Sequence, residues 1–139
     1  MEKGTLKYFA YEIVTPFGVV YSGSARYLRA PGVDGYFGIL PRHAPLLAAL
    51  KIGEIKIVKE GETKYFAISG GYLEVLANKV SILAETAEEA KDIDIKRAQA
   101  ALERARQRLA LKDKGIDQER ARAALLRALN RLMVSKKIS

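Results

Sequence analysis

Asp92-Ile93-Asp94-Ile95-Lys96-Arg97-Ala98 is the point where one kind of chain gives way to another. Before it, Gly and Pro punctuate short apolar runs. After it come about 40 residues with almost no breaker, rich in Ala, Leu and Arg. A β-type half followed by a helical half predicts an α+β chain of two parts, residues 1–87 and 88–139.

The N-terminal part reads as antiparallel β. Tyr8 to Val14 is β-branched and aromatic, and Thr15-Pro16-Phe17-Gly18 closes it as a turn. Val19-Val20-Tyr21 follows, with Ser22-Gly23-Ser24 as its expected end. Ala25 to Ala30 is then expected to close at Pro31-Gly32. Glu54 to Lys59 alternates except at Val58, the pattern of a half-buried strand, and Glu60-Gly61-Glu62 turns it back through Thr63 to Ile68. Tyr72 to Leu76 and Val80 to Ala84 form a further pair joined by Ala77-Asn78-Lys79. Closely spaced short strands of this kind predict a sandwich or barrel of two sheets.

The C-terminal part reads as a helical hairpin. Ile95, Ala98, Leu102, Ala105 and Leu109 recur on one helical face, and Ala121, Leu125, Ala128 and Leu132 on another. Asp92 or Asp94 is placed to cap the first helix and Asp117 the second. Lys112-Asp113-Lys114-Gly115 is the expected stop between them, with Gly115 suited to a left-handed end. Both seams are thin and heavy in Ala, so burial stabilises each helix weakly. An arm of this kind is expected to leave its scaffold at little cost.

Charge divides the chain in the same place. The net charge is +8; residues 1–87 contribute +2 and residues 88–139 contribute +6. The arm therefore carries the field, and its partners are expected to be acidic. No apolar run is long enough to span a bilayer, and Met1-Glu2-Lys3-Gly4 lacks the features of a signal peptide. The chain has no Cys, which excludes disulfides and thiolate chemistry. His43, the one histidine, sits between Pro41 and Pro45 without a triad or metal-ligand pattern and reads as a turn residue satisfied by backbone. Gly70-Gly71 precedes no helix, so it reads as a bulge or corner rather than a phosphate cradle.

Two motifs carry a resemblance. Gly38-Ile39-Leu40-Pro41-Arg42-His43-Ala44-Pro45-Leu46-Leu47-Ala48-Ala49-Leu50 and Ala67-Ile68-Ser69-Gly70-Gly71-Tyr72-Leu73-Glu74-Val75 resemble the signatures of the epsilon subunit of bacterial F-type ATP synthases. The likeness runs from about Leu6 to Leu132. It implies a sandwich of about ten strands at the foot of the central stalk, against the gamma subunit and the c-subunit ring. It also implies a mobile hairpin that, extended, touches the beta and alpha subunits and inhibits ATP hydrolysis. The subunit would be non-catalytic, peripheral to the cytoplasmic face of the cell membrane, and part of the coupling of proton flow to ATP synthesis.

Ile93-Asp94-Ile95-Lys96-Arg97-Ala98 is similar to the ATP-binding motif of epsilon subunits from some bacilli. Carried over residue by residue, the resemblance implies a site of Glu88, Ile93, Asp94, Arg97, Ala98, Arg104, Arg127 and Arg131. Arginines suit the phosphates through charge-assisted, bidentate hydrogen bonds. Glu88 and the backbone near Asp94 would then receive the adenine amino group. No Gly-x-x-x-x-Gly-Lys-Ser/Thr loop is present, so ATP is expected as a regulatory ligand and not a substrate, with no catalytic residue, metal or catalytic cofactor. The plain alternatives are solvated arginines and a helix-start aspartate without a ligand. A second class of function is a basic module for nucleic acid. It predicts aromatics interleaved with basic residues, and residues 88–139 contain none.

Overall fold

The computed structural model describes residues 7–111, 115 and 117–137. Eight strands come first: β1 Phe9–Thr15, β2 Gly18–Ala25, β3 Tyr27–Gly32, β4 Gly35–Ile39, β5 Leu46–Lys59, β6 Glu62–Leu76, β7 Lys79–Ala84 and β8 Ala87–Glu89. A 3-10 turn at Ala90–Asp92 leads to helices α1, Ile95–Leu111, and α2, Gln118–Ser135.

The strands form one continuous hydrogen-bonded path, β2-β1-β7-β6-β5-β3-β4, with β8 also on β6. This path folds over on itself. The two longest strands, β5 and β6, each serve both layers. The N-terminal half of β6 pairs with β8 through Phe66 to Ile68, whereas its C-terminal half pairs with β7 from Gly71 to Leu76. The change falls at Gly70 and Gly71, whose φ of +101° and +143° belong to a region that only glycine enters freely. The corner expected of Gly70-Gly71 is therefore present. Counting β5 and β6 once in each layer recovers the expected ten or so strands.

Between the layers lies one apolar core. Phe9, Ile13 and Leu73 from one layer meet Leu28, Ile55 and Phe66 from the other, all essentially buried. Tyr21 and Phe66 meet edge to face across the layers at 4.6 Å. Apolar alternation on β1 and β5 dictates this arrangement, because residues two apart share a face.

Two expected strand ends are not ends. Ser22-Gly23-Ser24 lies within β2, paired with Glu12, Tyr11 and Ala10. Gly23 is there because the Tyr11 ring lies over it; a Cβ would stand 3.1 Å from Tyr11 Cε2. Pro31-Gly32 likewise stays in β3, opposite Tyr36 and Gly35, and the turn falls one step later at Val33-Asp34. The crossing between layers is Arg26, which separates β2 from β3 and donates its N–H to the Val58 carbonyl. Thr63–Ile68 and Tyr72–Leu76 are also one bent strand rather than two.

The hairpin forms on its expected seams except at Ile95, which is 47% exposed at the start of α1. Ala98, Ala105, Ala121 and Ala128 are buried between α1 and α2 while Leu102, Leu109, Leu125 and Leu132 are half-buried. Asp94 Oδ1 accepts from the Arg97 N–H at 3.0 Å, and Asp117 Oδ1 accepts from the Arg120 N–H at 3.1 Å. Both are side-chain N-caps. The expected stop at Lys112-Asp113-Lys114 falls outside the described residues, and Gly115 lies in a turn.

It is α2, not α1, that meets the sandwich. Val134 packs into a second small cluster with Ala67, Ala90 and Ile93, flanked by Tyr65. Asn130 reaches past it, its Nδ2 donating to the carbonyls of Gly53 at 2.8 Å and Ile68 at 3.4 Å. This docking corrects one reading of β5. Glu54, expected on a solvated face, is buried because α2 and the turn after it cover that face.

Candidate functional site

The row under α2 has a simple composition. Glu54 on β5 pairs with Ala67 on β6, and Ala67 pairs with Glu88 on β8. These three side chains share the outward face, since facing residues in a ladder point the same way. A small alanine in the middle lets a helix approach closely. Carboxylates on either side suit a basic one.

Glu88 meets its partner on α2. Arg131 donates from Nε to Glu88 Oε1 at 2.6 Å and from Nη2 to Oε2 at 3.1 Å. This is a two-pronged, half-buried ion pair between sheet and helix, the geometry that a planar guanidinium favours.

Beside that pair opens a cleft of about 430 Å³, bounded by β6, the β7–β8 connection, α1 and α2. Its walls include Arg97 and Ala101 of α1, Ala124 and Arg127 of α2, and Ser69 and Thr86 of the sandwich. Among the described residues neither Arg97 nor Arg127 makes an ion pair, so both guanidinium groups stand available at its mouth. Alanines at 101, 124 and 128 keep the space open where larger side chains would close it.

The structure thus brings together four of the eight expected site residues: Glu88, Arg97, Arg127 and Arg131. Ile93 is buried in the cluster against Val134, and Ala98 is buried in the hairpin seam. Asp94 is a helix cap. Arg104 is exposed and lies seven residues beyond Arg97 on α1, roughly 10 Å along the axis, outside the walls of the cleft. Each Glu88 oxygen accepts one hydrogen bond from Arg131, and each keeps a second lone pair with which it could accept another donor.

Asn130, Ser69 and Thr86 are wall residues that sequence reasoning did not single out. Asn130 follows Arg127 by three positions on α2, and that helical spacing was a usable signal. Ser69 lies within the second quoted motif but with no role of its own assigned there, and Thr86 carried no signal. They meet only through the sheet, where the Thr86 N–H donates to Ser69 Oγ at 3.0 Å and the Ser69 N–H to the Thr86 carbonyl at 3.3 Å. His43 behaves as expected, its Nδ1 lying 2.7 Å from the Ala44 carbonyl. Among the described residues no group of three acidic or histidine side chains gathers as a metal site.

Residues 8–90 match the family model of the ATP synthase Delta/Epsilon chain beta-sandwich domain, and residues 91–136 match that of its long alpha-helix domain. The chain belongs to the ATP synthase epsilon-chain family. Among its relatives, the epsilon chain of Koribacter versatilis (strain Ellin345) is 54% identical over 101 residues, 73% of this chain and 71% of that one. The epsilon chain of Carboxydothermus hydrogenoformans is 54% identical over 99 residues, 71% of this chain and 74% of its own. A chain in the mitochondrial ATP synthase of Euglena gracilis (OSCP/F1/c-ring, rotational state 1) shares the fold at TM-score 0.72 and 21% identity, covering 84% of this chain and 74% of that chain. One in the central stalk and c-ring of the Tetrahymena thermophila enzyme does so at 0.57 and 18%, covering 92% and 93%. As an epsilon chain the protein is a subunit of an F-type ATP synthase and not its catalytic one. Among the described residues no helix is long and apolar enough to cross a membrane.

Proposed function

We propose that this epsilon chain is a rotor subunit of the central stalk whose helical hairpin responds to ATP and restrains ATP hydrolysis. The observation that carries the reading is the cleft. Arg97 from α1, Arg127 and Arg131 from α2 and Glu88 from β8 border one space, and they do so only while the hairpin is folded and docked. A nucleotide triphosphate held there would bridge three elements. Its binding free energy would then favour the docked arm over any extended one, because a ligand shifts an equilibrium by its differential affinity for the two states. The small apolar contact beneath α2 is consistent with an arm that can leave.

In this reading the sandwich sits against the gamma subunit and the c-ring, at the cytoplasmic face of the cell membrane, and takes part in coupling proton flow to ATP synthesis. When ATP is scarce the arm extends, and its excess of positive charge steers it toward acidic segments of the beta and alpha subunits. Docked, it leaves hydrolysis unhindered.

Calorimetric titration of the isolated chain with ATP, ADP and GTP tests the site. ATP is expected to bind, and Arg97→Ala to weaken it by about tenfold to a hundredfold, the loss typical of a charged hydrogen bond. Absence of binding at millimolar ATP would remove the nucleotide as the switch. The inhibitory role is tested separately, in the assembled enzyme. Deleting residues 93–139 should raise ATP hydrolysis, and an unchanged rate would refute inhibition by the arm.

A further inference from the structure

The C-terminal turn beyond α2 belongs neither to the cleft nor to the hairpin seam. Lys136 and Lys137 follow Ser135 in a tight turn, with the Lys137 N–H donating to the Val134 carbonyl at 2.9 Å. That turn aims Lys137 back at the sandwich. Its Nζ lies 3.6 Å from Glu54 Oε1 and 5.5 Å from the centre of the Tyr65 ring. The other Glu54 oxygen accepts from Arg29 Nη2 at 2.9 Å. Glu54 is itself only 7% exposed.

Each oxygen of this buried carboxylate therefore has one cation, and the two cations differ in origin. Arg29 belongs to the sandwich and stays whatever the arm does. Lys137 belongs to the arm. Removing its ammonium while α2 still covers Glu54 leaves a buried oxygen without its cation, which disfavours the docked state by more than loss of a surface pair would. The row Glu54–Ala67–Glu88 thus grips α2 at two points, Arg131 on one side and Lys137 on the other.

We infer that Lys137, seated between Glu54 and Tyr65, is a second latch that holds the arm docked independently of any ligand in the cleft. The inference rests on the arm-release reading above, but not on nucleotide binding. Its consequence is that the docked state has a built-in bias that the nucleotide only adds to. Because Lys137 lies outside the cleft walls, changing it should alter how often the arm is docked without altering what the cleft recognises.

The test uses the whole chain, labelled through cysteines introduced at Thr63 on the sandwich and Gln107 on α1. Since the chain has no cysteine of its own, labelling is confined to these sites. Spin-label distances report the open fraction without nucleotide across a salt series. Lys137→Met should raise that fraction about fivefold, as loss of one partly buried ion pair and one cation–π contact implies. Lys137→Glu should raise it further, and Lys137→Arg should restore the starting value. If Lys137→Met and Lys137→Glu leave the arm docked to the same extent as Lys137 at every salt concentration, there is no latch. ATP titrations of the same proteins keep the two ideas apart. Distances that ignore ATP but respond to residue 137 would sink the nucleotide switch and leave the latch standing.

Discussion

Gly71 shows how much can turn on one missing side chain. Its φ is +143°, and a Cβ there would lie 1.8 Å from the Leu83 carbonyl oxygen, which is backbone and cannot yield. Gly61, in the β5–β6 turn, also has a positive φ, +72°, but nothing stands within 4 Å of its missing Cβ. The two substitutions should therefore differ. Gly61→Ala is expected to cost about 1 kcal/mol through backbone strain alone. Gly71→Ala is expected to cost more than about 3 kcal/mol, because strain and a backbone clash act together. Denaturant unfolding of the two variants measures this, and similar midpoints would show that β6 can bend elsewhere. The corner was readable because Gly70-Gly71 interrupts an apolar run with no helix after it. Gly23 was misread as a strand end because its reason lies in Tyr11, on the neighbouring strand.

At the scale of elements, the helices depend on their ends more than on their faces. Their buried seam residues are alanines, which contribute little area. Each helix begins with an aspartate whose carboxylate accepts from the amide three residues on. Asp94→Ala and Asp117→Ala should each cost about 1 kcal/mol and let the first turn fray. Hydrogen exchange at the Arg97 and Arg120 amides is expected to quicken severalfold in the respective variants. Exchange unchanged at those amides would mean the helix starts are held by packing instead. These caps and seams were legible because helical periodicity and capping are local properties of the chain. The cleft was legible only in part. Arg97, Arg127 and Arg131 followed from a motif, but whether Arg104 joined them depended on how far along α1 the sandwich reaches.

For the molecule as a whole, the two apolar clusters are nearly independent. The main core draws on strands alone, whereas only Val134 links α2 to the smaller cluster. The chain truncated after Asp92 should therefore keep its sandwich, with a loss of about 2 kcal/mol from the apolar contact that Ile93 and Val134 no longer cover, while Glu54 keeps Arg29 and water reaches Glu88. Calorimetric melting of that fragment tests this, and a fragment that fails to fold would show that the arm is part of the core.

What the sequence alone determined is the order of parts: alternation within strands, the switch to helical spacing after Asp94, the caps and the excess of positive charge on the arm. All of these are read from neighbours within a few positions. The tertiary structure decided what those parts do to one another. It bent β5 and β6 through both layers, set Glu54 and Glu88 on either side of Ala67, and laid α2 across them. That turned a strand face expected to be solvated into a buried seat for Arg131 and Lys137. Glu54 and Lys137 are separated in sequence by three strands and both helices, and only packing brings such residues together.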